Sequence, residues 1–192
     1  VNVYDLATSN YSSLIDAHEC ARTIHIYGHD LLVCGMDDGS ITFWHVGDGK
    51  RLLSINPEQG PIRCIISIPD GIVCGTQKGS LVKVPLSQLH YSPSNTNQPL
   101  SPKLLPHECK VELLHAGDDQ GAIVSLDACG YHVAAIAGDG ELQFWDARVN
   151  ECLKRIRCDS PVHQVIALNK RCAAIADNQG SLIYLDQDDD YK

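Results

Sequence analysis

Residues 138–146 read Gly-Asp-Gly-Glu-Leu-Gln-Phe-Trp-Asp, a turn signal followed directly by a strand signal. Gly140 comes after an acidic residue, and a glycine in that place supplies the positive φ that a short hairpin connection requires. The residues from Leu142 onward alternate in character and reach aromatic side chains, which favours a strand. Residues 37–44, Asp-Asp-Gly-Ser-Ile-Thr-Phe-Trp, repeat the same design. The stretch is therefore a unit that recurs along the chain.

The recurrence has a fixed period. Five comparable strand segments begin at Val1, Ile41, Leu81, Leu142 and Leu182, so their starts lie 40, 40, 61 and 40 residues apart. Four of these segments follow a turn that carries a glycine: Gly39, Gly79, Gly140 and Gly180. A period of about 40 residues predicts a repeated supersecondary unit.

Each period contains four predicted strands. Ahead of every turn lies an apolar run rich in small residues, which suits a strand buried on both faces. These runs are residues 31–35, 72–75, 133–137 and 172–176. A further strand precedes each run, at residues 23–27, 62–68, 123–126 and 162–168. Outer strands are predicted at residues 51–55, 110–115 and 152–156.

The chain resembles the WD-repeat family in these turns and in the residue pairs that close the third strands. The pairs are Tyr4-Asp5, Trp44-His45, Val84-Pro85, Trp145-Asp146 and Leu185-Asp186. Four antiparallel strands at this period, with Trp-Asp near the end of the third, are typical of a propeller blade. The resemblance implies an all-β fold with about three complete blades and two partial ones, spanning residues 1–192 as part of a larger propeller.

The resemblance also assigns structural roles to several residues. It implies that Asp38 and Asp139 hold the hairpin turns, and that Trp44 and Trp145 pack within the blades. Asp146 completes the Trp-Asp pair. Cys34 and Cys74 occupy the same register in the second strands, where we expect them to act as small core hydrophobes.

The interval of 61 residues contains an insertion. Residues 87–107 carry four prolines among Ser, Asn and Gln, a composition that predicts a flexible loop within the third blade. Ser92-Pro93 and Ser101-Pro102 within it are minimal sites for proline-directed kinases, or else parts of an unmodified spacer.

Composition limits the class of partner. The net charge is −9, with 15 basic residues scattered among 24 acidic ones, which argues against a nucleic-acid partner. No apolar run is long enough to span a membrane, so we expect no membrane partner. Nine cysteines with no paired framework favour reduced thiols and a cytoplasmic or nuclear location. Other proteins are the expected partners.

The sequence contains no recognisable catalytic constellation: no nucleophile elbow, phosphate-binding glycine loop or His-Glu-x-x-His motif is present. His25 and His29 are four residues apart, but they fall in a strand and the following turn and not on one helical face. We therefore predict no catalytic residue, metal or cofactor.

Two sets of residues are candidate partner contacts. The resemblance implies that partners bind one face of the ring, where the loops entering the innermost strands converge; this predicts contacts at Arg22, Arg63 and His163. The alternative is that these are solvated loop residues. Trp145-Asp146-Ala147-Arg148 resembles the box by which some WD-repeat proteins dock onto the adaptor of a cullin-type ubiquitin ligase, with Arg148 as the contact. Arg148 is otherwise a blade-edge cation.

Three functional hypotheses remain open from sequence. The first is a non-catalytic scaffold within a larger protein or complex, which needs further blades or a partner chain to close its propeller. The second is the substrate receptor of a cullin-type ligase. The third is a regulatory propeller of an enzyme whose catalytic domain lies outside this chain.

Overall fold

The computed structural model describes residues 2–5, 10–13, 20–28, 30–47, 49–86, 110–117, 121–179 and 182–186. All regular structure in these ranges is β-strand, and the strands form five antiparallel sheets. No helix of the described part is long and apolar enough to cross a membrane.

Three of the sheets are complete four-stranded blades. Blade 1 contains β3 (Ala21–Tyr27), β4 (Leu31–Met36), β5 (Ile41–His45) and β6 (Arg51–Ile55) in that order. Blade 2 contains β7 (Ile62–Ile68), β8 (Gly71–Thr76), β9 (Leu81–Pro85) and β10 (Glu112–His115). Blade 3 contains β11 (Ile123–Cys129), β12 (His132–Ala137), β13 (Glu141–Asp146) and β14 (Glu151–Arg157).

The other two sheets are partial blades. The leading partial blade pairs β1 (Asn2–Asp5) with β2 (Asn10–Ser13). The trailing partial blade contains β15 (Val162–Ala167), β16 (Cys172–Asp177) and β17 (Leu182–Asp186). The prediction of about three complete blades and two partial ones is confirmed. The predicted insertion at residues 87–107 lies outside the described residues.

The second strands are buried on both faces, as their composition predicts. Every residue of β4 and β8 is buried, and Cys34 and Cys74 are 1% and 0% exposed. Gly75 allows the neighbouring blade to approach closely, because a Cβ added there would lie 2.5 Å from Cγ2 of Ile123. Gly35 stands in the same relation to Ile62, also at 2.5 Å. Small residues in these strands therefore set the spacing between blades.

The hydrophobic core consists of layers between successive blades. Buried residues of blades 1 and 2 form one layer, which includes Ile41, Phe43, Ile62 and Ile72. Blades 2 and 3 share a second layer around Leu81, Ile123, Val133 and Trp145. Blade 3 and the trailing partial blade share a third, which includes Leu142, Phe144, Val162 and Ile175. Each blade is thus stabilised mainly by its neighbours.

The turn aspartates accept hydrogen bonds within the hairpins. Asp38 Oδ1 accepts hydrogen bonds from the backbone N of Ser40 at 2.8 Å and from its hydroxyl at 2.7 Å. Asp139 Oδ1 accepts from the backbone N of Glu141 at 3.1 Å. The glycines that follow these aspartates, Gly39 and Gly140, have φ of 89° and 88°. The hairpins form because these side chains replace missing backbone partners at the turn.

Candidate partner-binding site at the channel mouth

The first strands of the blades lie side by side: β3 contacts β7, β7 contacts β11, and β11 contacts β15. They therefore line the axis of the propeller. Each of these four strands carries a register shift near its start. In β3, for example, Ala21 pairs with Met36 and Thr23 pairs with Gly35, so Arg22 is an extra residue between them.

The extra residue occupies the same place in all four strands. The four bulge residues are Arg22, Arg63, Val124 and His163. All four are exposed, although the residues that precede three of them, Ile62, Ile123 and Val162, are buried. A β-bulge re-aims a side chain out of the regular alternation of a strand. The three predicted contacts Arg22, Arg63 and His163 thus share one structural position, to which Val124 must be added.

The bulge residues lie at the same end of the blades as the hairpin turns. The residue after each second strand donates its backbone N–H to the carbonyl of a residue just before the bulge. The pairs are Asp37 with Cys20, Gln77 with Pro61, Gly138 with Ala122, and Asn178 with Pro161, at 2.8–3.1 Å. This end of the axis is the channel mouth.

Arg22, Arg63 and Val124 line a common cleft of about 270 Å³, which we call the channel-mouth cleft. Nε of Arg22 donates to Oδ1 of Asp37 at 2.6 Å, and both side chains are more than 40% exposed. This hydrogen bond lowers the pKa of Asp37, and the positive charge of Arg63 lowers it further. The same bond raises the pKa of Arg22. Two cations therefore line the cleft, and the carboxylate of Asp37 is bound to one of them.

His163 is exposed at the equivalent bulge of the trailing partial blade, but it does not line this cleft. The structure accordingly brings together two of the three predicted contacts. Val124 replaces the cation in blade 3 and forms an apolar wall, with 38% exposure. Val124 was not predicted from sequence, because only Arg and His residues were considered as contacts.

Arg148 is held by the aspartate of its own Trp-Asp pair. Its guanidinium forms a bidentate ion pair with Asp146, with Nε at 3.0 Å from Oδ1, and it lies 6.0 Å from the ring centre of Tyr131. The hydrogen bond from Arg148 lowers the pKa of the nearly buried Asp146 to about 2. The side chain of Arg148 is still 55% exposed. Arg148 is thus both a structural partner and an accessible cation.

The two tryptophans differ in burial. Trp145 is 4% exposed and its Nε1 donates to Oε1 of Gln143 at 3.0 Å. Trp44 is only partly buried, and its Nε1 donates to Oγ1 of Thr42 at 3.0 Å. Both side chains pack within the fold, and Trp145 contributes the larger buried surface.

A buried lysine was not anticipated from sequence. Lys83 occupies the register of Phe43 and Phe144 in the third strand, and its side chain is 6% exposed. Its Nζ donates to the carbonyl of Ala147 in blade 3 at 2.8 Å. The nearest oxygens of Asp70 and Glu112 lie 3.4 and 3.7 Å away. Lys83 therefore joins blade 2 to the turn that carries Arg148.

The cysteines and the other metal-binding residue types do not add a second site in the part of the chain that the structure describes. Its eight cysteines are free, and burial raises the pKa of the Cys64 thiol to about 12. No group of three or more His, Cys, Asp or Glu in the same ranges could hold a metal ion.

Comparison with solved structures identifies the fold. Sqt1 of Saccharomyces cerevisiae matches with a TM-score of 0.73 over 97% of this chain, at 12% identity. A chain of the mitotic checkpoint complex matches with a TM-score of 0.72 over 97%, at 14% identity. The RRP9 WD40 repeats match with a TM-score of 0.66 over 90%, at 12% identity. The resemblance to WD-repeat propellers is confirmed at the level of the fold.

The chain spans between 52% and 59% of the length of these three proteins. No family model matches the sequence, and no curated protein does.

Proposed function

We propose that this chain is a non-catalytic platform that binds other proteins, and that a partner contacts the channel mouth at Arg22, Arg63 and His163. The observation that carries the proposal is the shared bulge, which exposes one side chain of every described first strand at the same end of the axis.

The fold supports the same role. Propellers of this type offer a rigid surface because each blade is fixed by its neighbours, and rigid surfaces lose little entropy when they bind. One structural neighbour belongs to the mitotic checkpoint complex, an assembly of proteins. We further propose that the protein acts in the cytoplasm or nucleus, together with additional blades or a partner chain that complete the propeller.

The experiment uses a photo-crosslinking amino acid in the protein expressed in cells. Val124 is the insertion point, since it lines the cleft and its replacement leaves both arginines intact. Val149 is the matched control, because it is a valine with 59% exposure in the turn after β13, at the opposite end of blade 3. We expect a defined crosslinked protein from position 124 and not from position 149, and loss of that product in Arg22→Gln/Arg63→Gln.

A crosslinked protein from position 149 and not from position 124 would support the second candidate function, docking of a cullin-type ligase adaptor through Arg148. The observation in its favour is that Asp146 fixes the guanidinium while more than half of the side chain stays exposed beside Val149. Arg148→Ala should abolish co-purification of the adaptor, and Val149→Lys should weaken it without touching the ion pair. Crosslinks from neither position, or the same products from both, would contradict both candidates.

A further inference from the structure

We propose that the channel-mouth cleft binds an anionic side chain of a partner protein, a carboxylate or a phosphate, through Arg63, while Asp37 acts as an internal competitor at Arg22. This inference rests on the proposed function, because it specifies the chemistry of the partner at the same site.

Blades 1 and 2 differ at one equivalent position. Asp37 and Gln77 each follow the second strand of their blade, and each donates its backbone N–H to the loop before the bulge. In blade 1 the carboxylate of Asp37 accepts from Arg22 at 2.6 Å. Blade 2 has the neutral Gln77 in that place, so Arg63 lacks the corresponding carboxylate.

Arg63 is consequently an available cation. It is exposed, and it makes no hydrogen bond or ion pair with any residue in the described ranges. A guanidinium offers several N–H donors in a planar fork that matches carboxylate and phosphate oxygens. With Val124 as the adjacent wall, the cleft suits an anionic group carried on an aliphatic stem.

Asp37 already shows how such a group would bind. Its carboxylate occupies Arg22 in the way that a partner's anion would occupy Arg63, and it lies close enough to Arg63 to feel that charge. Asp37 therefore has two effects on a second anion: it withholds Arg22 and it adds a repulsive charge. Removal of its charge should strengthen binding, and a carboxylate at position 77 should weaken it.

The test measures binding of short Gly-Ser peptides that differ at one central residue: glutamate, phosphoserine or glutamine. Each peptide carries a rhodamine label, and its fluorescence anisotropy is followed during titration with the purified protein at low and moderate salt. The glutamate and phosphoserine peptides separate the two sources of negative charge, and the glutamine peptide measures binding that needs no charge.

We expect at least one anionic peptide to bind more tightly than the glutamine peptide, with weaker binding as salt rises. Arg63→Gln and Gln77→Asp should each weaken it about fivefold, the effect of one exposed ion pair. Asp37→Asn should strengthen it by about twofold to fivefold for the same reason. Arg51→Gln, which removes an exposed arginine at the far end of blade 1, is the charge-matched control and should have little effect.

The inference is overturned if Arg63→Gln weakens binding no more than Arg51→Gln, or if Asp37→Asn leaves it unchanged. It is also overturned if neither anionic peptide binds better than the glutamine peptide. These outcomes are separable from failure of the proposed function, because the crosslink from position 124 tests partner contact whatever the charge of the partner. All four substituted residues are exposed, so the variants should fold.

Discussion

At the scale of single residues, Lys83 shows how one side chain can connect two blades. A lysine in the register of Phe43 and Phe144 would be unfavourable if it were unpaired, since burial of a charge is costly without partners. The carbonyl of Ala147 and the carboxylates of Asp70 and Glu112 provide those partners. The two carboxylates remain partly exposed, so the hydrogen bond to the buried Ala147 is the more important contact.

Truncation of this lysine should destabilise the fold. We expect Lys83→Ala to lower the free energy of unfolding by about 3 kcal/mol, because it leaves a cavity and an unsatisfied carbonyl. Lys83→Met, which retains most of the volume, should cost less, about 1–2 kcal/mol. Urea denaturation measures both, with exposed Lys78→Ala as the control. Equal stability of the Lys83 and Lys78 alanine variants would show that the buried contact is not significant.

The ion pair between Asp146 and Arg148 makes stability depend on pH. The pKa of Asp146 is lowered to about 2 in the folded protein from an ordinary value of 3.8. The contribution is therefore fully present above about pH 4 and is lost as the pH falls from there towards 2. We estimate it at about 1 kcal/mol, since the half-exposed Arg148 is screened by solvent.

Thermal unfolding of wild-type protein and Asp146→Asn across this range measures the effect. The wild type should be more stable above about pH 4, and the two midpoints should converge as the pH approaches 2. A difference that is constant down to low pH would mean that the carboxylate charge is not responsible. In an Arg148→Gln background, the stability lost on Asp146→Asn should be smaller over the same pH range.

At the scale of strands and turns, local signals predicted the elements well. The glycines and aspartates of the turns form the hairpins through contacts with residues next to them in sequence. The roles of Asp139 and Gly140 could therefore be predicted without knowledge of the rest of the chain. The bulges at Arg22 and Arg63 could not be predicted in this way, because a bulge is defined by pairing with another strand. Lys83 was missed for a related reason: its acceptor, the carbonyl of Ala147, is 64 residues away.

The glycines of the second strands affect stability because they lie against the neighbouring blade. A Cβ at Gly75 would lie 2.5 Å from Cγ2 of Ile123 and 2.7 Å from Sγ of Cys64. We expect Gly75→Ala to lower the free energy of unfolding by about 1–3 kcal/mol, as overpacking of a core does. Gly138→Ala is the control, since its nearest neighbour would be 3.5 Å away.

A second substitution separates overpacking from other effects of alanine. Ile123→Ala removes Cγ2, the nearest clashing atom, and leaves Cβ of residue 123 and Sγ of Cys64, each at 2.7 Å. The clash is therefore relieved in part, and Gly75→Ala/Ile123→Ala should be less unstable than the sum of the two single variants. The coupling is measured by a double-mutant cycle in urea. Additive effects would show that the two residues do not limit the approach of blades 2 and 3.

At the scale of the whole molecule, the three complete blades and the trailing partial blade form an arc in which each first strand contacts the next. Leu182 is 78% exposed, whereas its equivalents Ile41, Leu81 and Leu142 are fully buried against the next blade. Ile24 of blade 1 is 56% exposed, although its equivalent Ile65 is buried. The same register positions are thus core inside the arc and surface at its ends.

Open apolar faces should make the isolated chain bind hydrophobic dyes and self-associate, because apolar patches of this kind favour contacts that exclude water. We expect Leu182→Lys to reduce dye fluorescence and self-association in sedimentation without lowering the thermal midpoint, since this side chain is 78% exposed. Leu142→Lys is the matched control: it places the same charge at the equivalent buried position and should unfold the protein. A wild-type chain that sediments as a monodisperse monomer and binds no dye would contradict this prediction. Loss of stability in Leu182→Lys would instead mean that other residues of the chain already cover this face of the trailing partial blade.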